Sequence, residues 1–466
     1  MNEIIFWNAI WGGETGNVWM TRAIGPYQLS HWLRKNNVES QVIDFCQWMS
    51  AQEIFQFTSK FISSKTKYIG ISGTFIGTWI LDKDGMPPKI VKAIELVREH
   101  YPRLKIIIGG KLPMLSRQAH LVDMVMLGEA EDSLLTLLKG HNLSPKFNIT
   151  KLNHRFHHKD CIIEGEVLPI ELGRGCIFKC KFCGHSNTGK PKYTYQRHIS
   201  LIEDEIVYNY ENFKTTKYLF LDDTVNEDKE KIYNLSKIPS NTGIDLAWNG
   251  YLRLDLLKIH GNAEQIFQSG MRSCYFGIES FHKQASQAIG KGWNGKHAKD
   301  YLPILYKDIW NEQVNMACNY IVGLPGEDLD SLYDTLDWCM DNPIGFHHFN
   351  ALSLHTNIQG DELPRSEFAT NYKDYGYELL TEGAGEWKSS IMTQDMATKI
   401  STLFNNELRS INRYSGWMLF DFINGKSDLE EIRHISFESA SSARQRCISS
   451  FRTNFMTSYK AALSSL

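Results

Sequence analysis

Three of the nine cysteines lie close together in one short segment of the chain. They are Cys176, Cys180 and Cys183, in the sequence ELGRGCIFKCKFCG, which follows a short apolar run that predicts a β-strand. Thiolates at spacings of four and three residues in one loop can converge on a single inorganic centre, and thiolate sulfur favours zinc, copper(I) or iron–sulfur. This triplet constrains the fold most, because the segment has to form a loop that turns three sulfur atoms toward one point.

The absence of a fourth ligand separates the alternatives. A structural zinc site takes four protein ligands, and the nearest candidate, His185, follows Cys183 by only two residues, against a usual spacing of roughly three to five. No second Cys-x2-Cys pair occurs in the sequence. Three cysteines alone leave one iron of a [4Fe-4S] cubane open to a non-protein ligand. We therefore favour an iron–sulfur centre over structural zinc or chance clustering, and expect the other six cysteines to be small packing residues.

Composition excludes several classes of protein. The chain has 466 residues, with 50 Lys and Arg against 53 Asp and Glu. This balance gives no electrostatic reason to expect binding to nucleic acid or to a membrane surface. No apolar run approaches the roughly 18 residues of a spanning helix, and the start, MNEIIFWNAI, lacks the features of a signal peptide. These features, with an odd cysteine count, predict a cytoplasmic protein with reduced thiols.

The first part of the chain, 1–145, alternates apolar runs with helical patterns. The predicted strands are Ile4–Trp7, Gln41–Asp44, Tyr68–Ser72, Lys105–Ile108 and Met124–Leu127, and the predicted helices include Ala23–Lys35 and Pro88–His100. This alternation predicts an α/β fold with an open, doubly wound, mostly parallel sheet. Ligands bind such sheets at the carboxyl ends of the strands. Candidate residues there are Gly12, Gly13, Ser72, Gly73, Gly109, Gly110, Gly128 and Glu129, although tight turns alone also explain glycines at these ends.

The second part, 165–355, predicts a partial (β/α)6 barrel. Its strand candidates are Leu168–Leu172, Tyr218–Leu221, Asp245–Trp248, Ser273–Ile278, Asn315–Val322 and Phe346–Leu352, and long helical patterns such as Leu201–Tyr210 and Leu329–Met340 separate them. The active site of a barrel lies at the carboxyl ends of its strands. That rule places five segments on one rim: Cys176–Cys183, Asp222–Thr224, Gly250–Arg253, Glu279–Ser280 and Gly323–Glu327.

Two further regions complete the organisation. Residues 146–164 contain the stretch NHRFHHKD, with His154, His157 and His158, and we interpret them as a solvated linker because no well-spaced partner ligands accompany the histidines. Residues 356–466 combine aromatic-rich turns with two or three helical patterns. They predict a small, mostly helical C-terminal domain on the substrate side.

The cysteine spacing, with an aromatic residue (Phe182) before the third cysteine, resembles the radical S-adenosylmethionine (SAM) superfamily. Further motifs follow in the expected order over roughly 165–355. The resemblance implies that YLFLDDTVN, with Asp222 and Asp223, faces the SAM amino group. It also implies that AWNGYLRLD supplies Arg253, that Glu279 and Ser280 contact the ribose, and that Gly323 and Leu324 of IVGLPGED pass the adenine.

The N-terminal part resembles the cobalamin-binding domain often fused before such barrels. The resemblance rests on IIIGG (106–110) and DMVMLGEAEDSLL (123–135). Many of these domains carry Asp-x-His-x-x-Gly, whose histidine ligates cobalt, whereas the corresponding stretch here is NAIWGG (8–13). Isoleucine cannot ligate a metal, and His31, the first histidine, lies inside a helical pattern. The domain either binds cobalamin without a protein ligand or is a vestigial scaffold.

The resemblance implies a reductive reaction. Cys176, Cys180 and Cys183 would hold three irons of a [4Fe-4S] cluster, and an electron from a donor such as flavodoxin or ferredoxin would cleave SAM to a 5′-deoxyadenosyl radical. With cobalamin, the reaction is methylation of an unactivated carbon; without it, rearrangement, cyclisation or oxidation. A non-catalytic Fe–S or corrinoid sensor is the alternative from another class, and the retained SAM-facing segments argue against it.

The substrate is a small molecule or peptide on the grounds of charge. His347, His348 and Asn350, at the end of the sixth barrel strand, face either a substrate or the core. Tyr372, Tyr375, Tyr377 and Trp387 either stack on a planar substrate or pack internally, and core packing is favoured. Lys179 and Lys181, inside the cysteine segment, are interpreted as solvated charges rather than as groups that bias a cluster.

Overall fold

The fold is taken from a computed structural model. It describes residues 1–9, 21–73, 88–110, 119–140, 146–184, 195–342, 344–354, 366–380, 386–411, 413 and 437–466. The candidate residues Gly12 and Gly13, and the possible zinc ligand His185, lie outside the described residues. In the parts of the chain just named, no helix is both long and apolar enough to cross a membrane.

Five parallel strands form the N-terminal sheet, in the order β2-β1-β3-β4-β5. The strands are β1 (Ile4–Trp7), β2 (Ser40–Ile43), β3 (Tyr68–Ser72), β4 (Lys105–Gly110) and β5 (Met124–Leu127), and the helices are α1 (Gly25–Lys35), α2 (Ala51–Phe61), α3 (Pro88–His100) and α4 (Glu131–Lys139). β1 is buried at every residue, as expected of an inner strand covered on both faces. The predicted doubly wound parallel sheet is confirmed.

Six parallel strands form the second sheet, with their neighbours in chain order from β6 to β11. The strands are β6 (Leu168–Ile170), β7 (Lys217–Phe220), β8 (Ala247–Leu252), β9 (Met271–Glu279), β10 (Asn315–Val322) and β11 (Phe346–Ala351). The helices are α5 (Ile199–Phe213), α6 (Lys229–Leu235), α7 (Ile238–Thr242), α8 (Leu254–His260), α9 (Ala263–Gln268), α10 (Lys283–Ala288), α11 (Gly295–Ile304) and α12 (Leu329–Asp341). This is the expected partial barrel, and its carboxyl strand ends form one rim.

The C-terminal region packs in two places. Its elements are α13 (Glu367–Thr370), β12 (Glu378–Leu379), β13 (Trp387–Lys388), α14 (Gln394–Ser410) and α15 (Phe437–Ser465). The Asn405 side chain of α14 bonds both backbone groups of Phe349 on β11 at 2.9 Å. By contrast, Phe455 and Tyr459 of α15 pack in the core of the N-terminal sheet. The interpretation of 356–466 as one substrate-side domain is therefore wrong for α15.

The segment between the two sheets is buried rather than solvated. His154 and Phe156 are fully buried, and Asp160 pairs with Arg34 at 2.9 Å. The interpretation of this stretch as a solvated linker is wrong, because its apolar and aromatic side chains fill the junction between the sheets. His154 lies edge-on to His31, with ring centroids 5.4 Å apart. Burial lowers the pKa of His31 to about 4, so the neutral ring packs at the junction.

Candidate functional site

The cysteine loop begins directly after β6. Cys180 is buried, whereas Cys176 and Cys183 are half-buried, and the Cys176 Sγ lies 3.8 Å from the Thr224 Oγ1 beyond the end of β7. Within the part of the chain that the structure describes, no three His, Cys, Asp or Glu side chains already stand at metal-binding distance. In a [4Fe-4S] site each cysteine ligates a different iron, so the three sulfur atoms do not have to meet at a single metal ion.

A guanidinium lies against the middle cysteine. Arg253 follows β8, and its Nη1 donates to the Cys180 Sγ at 3.5 Å. Its position is held by Asp255 at 2.7 Å, by the Lys291 carbonyl at 2.9 Å and by the Phe178 ring, 4.0 Å from the guanidinium carbon. A fixed positive charge stabilises thiolates, the form that ligates iron. The donor set, three thiols and a facing guanidinium, fits a [4Fe-4S] centre.

Asp222 has a structural position at this rim. It is buried, accepts the Leu172 N–H at 2.8 Å and lies 3.5 Å from the Lys231 Nζ. Burial raises the pKa of Asp222 to about 7, and the charge of Lys231 opposes that shift. Its carboxylate therefore ties the ends of β6 and β7 together inside the protein. Asp223, the next residue, is exposed at the same edge.

Two more predicted contacts lie at the ends of β9 and β10. Glu279 ends β9 with a φ of 68°, and its carboxylate pairs with Lys291 at 2.7 Å. The Ser280 hydroxyl donates to the Glu327 carboxylate at 2.6 Å, and burial raises the pKa of Glu327 to about 8. Sequence reasoning gave neither Lys291 nor Glu327 a role of its own. For Glu327 a signal existed, because it lies in the strand-end segment placed on the rim.

The aromatic residues of the C-terminal region pack over the end of β10. A side chain at Gly323 would meet the Trp387 ring at 2.5 Å, and the Tyr377 hydroxyl donates to the Gly323 carbonyl at 2.7 Å. Tyr377, Trp387 and Leu324 are buried, so core packing is confirmed for the two aromatic residues. Gly323 therefore has one face filled by protein.

The C-terminal region also contacts the cysteine loop. The Lys181 ammonium donates to the Tyr375 hydroxyl at 3.0 Å and lies 3.4 Å from the Glu367 carboxylate. The Lys181 carbonyl accepts the Phe368 N–H at 2.9 Å. Lys181, whose side chain is 35% exposed, therefore joins the loop to α13 through pairs at the protein surface. Phe182, the next residue, is partly buried against the core.

The histidines at the end of β11 take two different positions. His347 is fully buried and bonds the Tyr320 hydroxyl at 3.2 Å, and burial lowers its pKa to about 3. It is a core residue. His348 points to the opposite side of the strand, where its Nε2 lies 2.9 Å from the Asn350 Oδ1. His348 and Asn350 therefore share one face of β11.

A cavity of about 260 Å³ lies at the carboxyl ends of the N-terminal strands. Five predicted ligand-contact residues line it: Ser72, Gly109, Gly110, Gly128 and Glu129. Gly73 is absent from the lining that the structure describes. Glu171 and Arg174 form another part of the wall, so the cavity extends from the N-terminal sheet to the start of the cysteine loop.

Gly109 fits a bound ligand better than it fits the needs of the protein. A side chain at Gly109 would find no atom nearer than 3.5 Å, which is ordinary contact, and Gly109 has no left-handed backbone that requires glycine. Gly110 and Gly128, by contrast, have φ values of 140° and 75°, and this left-handed backbone favours glycine by itself. At Gly109 the missing side chain leaves open a space in front of the sheet that the protein does not need for its own packing.

Comparison with known proteins identifies the barrel. Residues 170–339 match the radical SAM superfamily. The chain carries a radical SAM domain. Domains of this superfamily use SAM at a [4Fe-4S] cluster, and the three cysteines lie within the matched segment.

Two curated relatives are methyltransferases by name. An uncharacterized methyltransferase of Pyrococcus horikoshii is 25% identical over 202 residues, which is 43% of this chain and 42% of the relative. The bacteriochlorophyllide d C-8(2)-methyltransferase of Chlorobaculum tepidum is 22% identical over 294 residues, 58% of this chain and 64% of the relative. The chain thus spans less than two thirds of the length of either relative.

Two solved structures share the fold. The radical SAM methyltransferase TsrM from Kitasatospora setae, with cobalamin and a [4Fe-4S] cluster bound, matches with a TM-score of 0.57 and 14% identity over 76% of each chain. The cobalamin-dependent radical SAM enzyme OxsB, with aqua-cobalamin bound, matches with a TM-score of 0.55 and 13% identity, over 99% of this chain and 72% of OxsB. At these identities the likeness establishes the α/β fold, with the N-terminal sheet joined to the barrel.

Proposed function

We propose that the protein is a radical SAM enzyme that methylates an unactivated carbon of a small molecule or peptide with the help of a bound corrinoid. One observation carries the proposal. The glycine-lined cavity at the N-terminal strand ends shares its wall, through Glu171 and Arg174, with the segment that leads to Cys176. A ligand in this cavity would therefore lie beside the cysteine loop, where a methyl donor and a radical source both have to reach one substrate.

The residues for the first cofactor are on the barrel rim. Cys176, Cys180 and Cys183 are the proposed ligands of three irons, and SAM would take the open fourth position. Cluster-bound SAM supplies a 5′-deoxyadenosyl radical after one-electron reduction by a donor such as flavodoxin or ferredoxin, and a corrinoid supplies the methyl group. The protein contributes binding, orientation and the exclusion of water.

The surrounding side chains fit these tasks. The Arg253 guanidinium donates to the Cys180 Sγ at 3.5 Å, which places a fixed positive charge beside a proposed iron ligand. Glu279 and Ser280 follow one another at the end of β9, where Lys291 pairs with the Glu279 carboxylate and Glu327 accepts a hydrogen bond from the Ser280 hydroxyl. We keep both as the proposed ribose contacts, with Glu279 offering a carboxylate oxygen as acceptor to a ribose hydroxyl. We keep Asp223, rather than Asp222, as the residue proposed to face the SAM amino group, because Asp222 is engaged inside the protein.

The corrinoid would bind without a histidine ligand to cobalt. The cavity lining that the structure describes contains no histidine or cysteine, and its wall is formed by glycines, apolar side chains and the charged residues around Arg174. Similarity to two proteins whose names state methyltransferase activity favours methyl transfer over a vestigial N-terminal domain.

Two measurements test the proposal. Titration of the purified protein with hydroxocobalamin, followed by absorbance, should show saturable binding at one site per chain. Incubation of the reconstituted enzyme with SAM carrying a deuterated methyl group and candidate metabolites should then give a product with the label in a new C–CH3 group. Absence of corrinoid binding would reject the methylation reading and leave a cobalamin-independent radical reaction.

A further inference from the structure

Arg174 lies where the cavity wall meets the cysteine loop. It follows the last residue of β6 by four positions and precedes Cys176 by two. Its backbone N–H donates to the Tyr195 carbonyl at 3.1 Å, and its side chain lines the cavity, with 12% of that side chain exposed. Arg174 therefore belongs both to the wall of the cavity and to the start of the cysteine loop.

The guanidinium joins three separate elements. It holds Glu171, just after β6, through two parallel bonds of 3.0 and 3.1 Å. It donates to Glu131, the first residue of α4, at 2.7 Å, and to the Gln28 amide oxygen of α1 at 3.1 Å. The Gln28 amide nitrogen closes the network on Glu171 at 2.8 Å. We name Gln28, Glu131, Glu171 and Arg174 the junction clamp.

The junction clamp has one defined geometry because its central group is an arginine guanidinium. A planar guanidinium presents five N–H donors in a fixed fork, so it can bond several acceptors at once in one geometry. Gln28 and Glu131 belong to the N-terminal unit, whereas Glu171 and Arg174 belong to the barrel, and all four line the cavity. The ring of Phe147, 5.4 Å from the guanidinium carbon, covers part of the group. A ligand that displaces α1 or α4 relative to the barrel would therefore move the loop through Arg174.

We propose that Arg174 is a positioning residue that couples occupation of the cavity to the order of the cysteine loop. The part of this inference that names a corrinoid as the ligand rests on the proposed function. The clamp itself does not, since its contacts are present in the structure without any ligand. By thermodynamic reciprocity, a ligand that is favoured by an ordered loop must itself order that loop.

Hydrogen–deuterium exchange of the whole 466-residue chain before reconstitution tests the coupling. Peptides that cover 171–184 are followed with and without hydroxocobalamin, in the wild type, in Arg174→Met and in Arg174→Lys. In the wild type, hydroxocobalamin should slow exchange in this segment by about 5- to 150-fold, the range of common coupling energies. In both variants the ligand should lose this effect, because methionine donates no hydrogen bond and a lysine ammonium lacks the planar fork that holds Glu171 through two parallel bonds while it reaches Gln28 and Glu131. Arg272→Met is the matched control, since the Arg272 guanidinium donates to the carbonyls of Phe267 on α9 and Met271 on β9, lies over the Phe267 ring and is not among the residues that line the cavity.

The outcomes are distinguishable. If absorbance shows that hydroxocobalamin binds but it slows loop exchange equally in the wild type and in Arg174→Met, the inference is wrong and the corrinoid proposal survives. If no corrinoid binds, the corrinoid proposal fails. The exchange rates of the ligand-free protein then decide whether Arg174 orders the cysteine loop. Faster exchange confined to 171–184, α1 and α4 in Arg174→Met then supports the clamp, and unchanged exchange overturns it. Should Arg174→Met fail to fold, Glu131→Gln removes a single charged arm and should give a smaller loss in the same direction.

Discussion

Replacement of Gly109 by valine separates ligand binding from folding. Gly109 lies in β4 with its missing side chain directed into the cavity, on the same face as Ile107. The nearest protein atoms to a Cβ there are the Met126 carbonyl oxygen at 3.5 Å and the Met126 Cβ at 3.8 Å. A Cβ therefore fits here without a clash, and we expect the methyl groups of valine to occupy cavity space.

The magnitudes follow from these distances. Valine suits a strand better than glycine does, so the free energy of unfolding should stay unchanged or rise by up to about 1 kcal/mol. Added methyl groups in a filled site cost about 1–3 kcal/mol, which weakens corrinoid binding about 5- to 150-fold. The expected result is a stable protein with an impaired cavity.

Ile108→Val provides the control on the same strand. Ile108 faces the opposite core, so removal of one methylene should lower the free energy of unfolding by about 0.5–1.5 kcal/mol and leave corrinoid affinity unchanged. Urea unfolding and absorbance titration with hydroxocobalamin are measured on both variants. Unchanged affinity in Gly109→Val, or a loss of stability there without a loss of affinity, would refute the assignment of the cavity.

Three further predictions concern the barrel rim. Gly323→Ala should lower the free energy of unfolding in urea by about 1–3 kcal/mol, because its Cβ would meet the Trp387 ring at 2.5 Å in a left-handed backbone; stability equal to wild type would contradict the packing described. Relative to Glu327→Gln, the wild type should lose stability as pH rises from about 4.5 to about 8. The reason is that the raised pKa of Glu327 makes the folded state hold the proton more tightly than the unfolded state does. Parallel pH profiles of the two proteins in urea unfolding would refute this. Arg253→Met should weaken retention of the cluster about 10- to 100-fold in a chelator challenge, because loss of a group that supports a metal ligand has an effect of this size. Equal retention in the wild type and the variant would show that Arg253 does not support Cys180 as a ligand.

Local patterns predicted the strands well where the apolar runs are uninterrupted. The bounds of β1 and β10 agree with the sequence-based expectation at both ends. β8 was expected at Asp245–Trp248 but runs over Ala247–Leu252. Its continuation passes through Gly250, where a side chain would meet Val225 at 3.0 Å, and this crowding depends on a neighbouring segment rather than on the strand itself.

Contacts between distant parts of the chain lay beyond sequence reasoning. Tyr459 of α15 accepts the Asp44 N–H at 2.8 Å across 415 positions, and the polar composition of α15 gave no sign of this docking. The junction clamp likewise joins Gln28 to Arg174 across 146 positions. For the candidate site, residue type and strand-end position were enough to nominate Cys176 and Gly109. The partners that orient a nominated residue, such as Lys291 for Glu279, follow only from the packed structure.

Anaerobic reconstitution with iron and sulfide, followed by assay with SAM and dithionite, tests the central claim most directly. The wild type should hold about four irons per chain and release 5′-deoxyadenosine. Cys274→Ala, which alters a buried cysteine on β9, should do the same. The triple variant Cys176→Ala/Cys180→Ala/Cys183→Ala should hold no cluster and form no 5′-deoxyadenosine. Formation of 5′-deoxyadenosine by the triple variant, or its absence from a fully loaded wild type, would contradict the account.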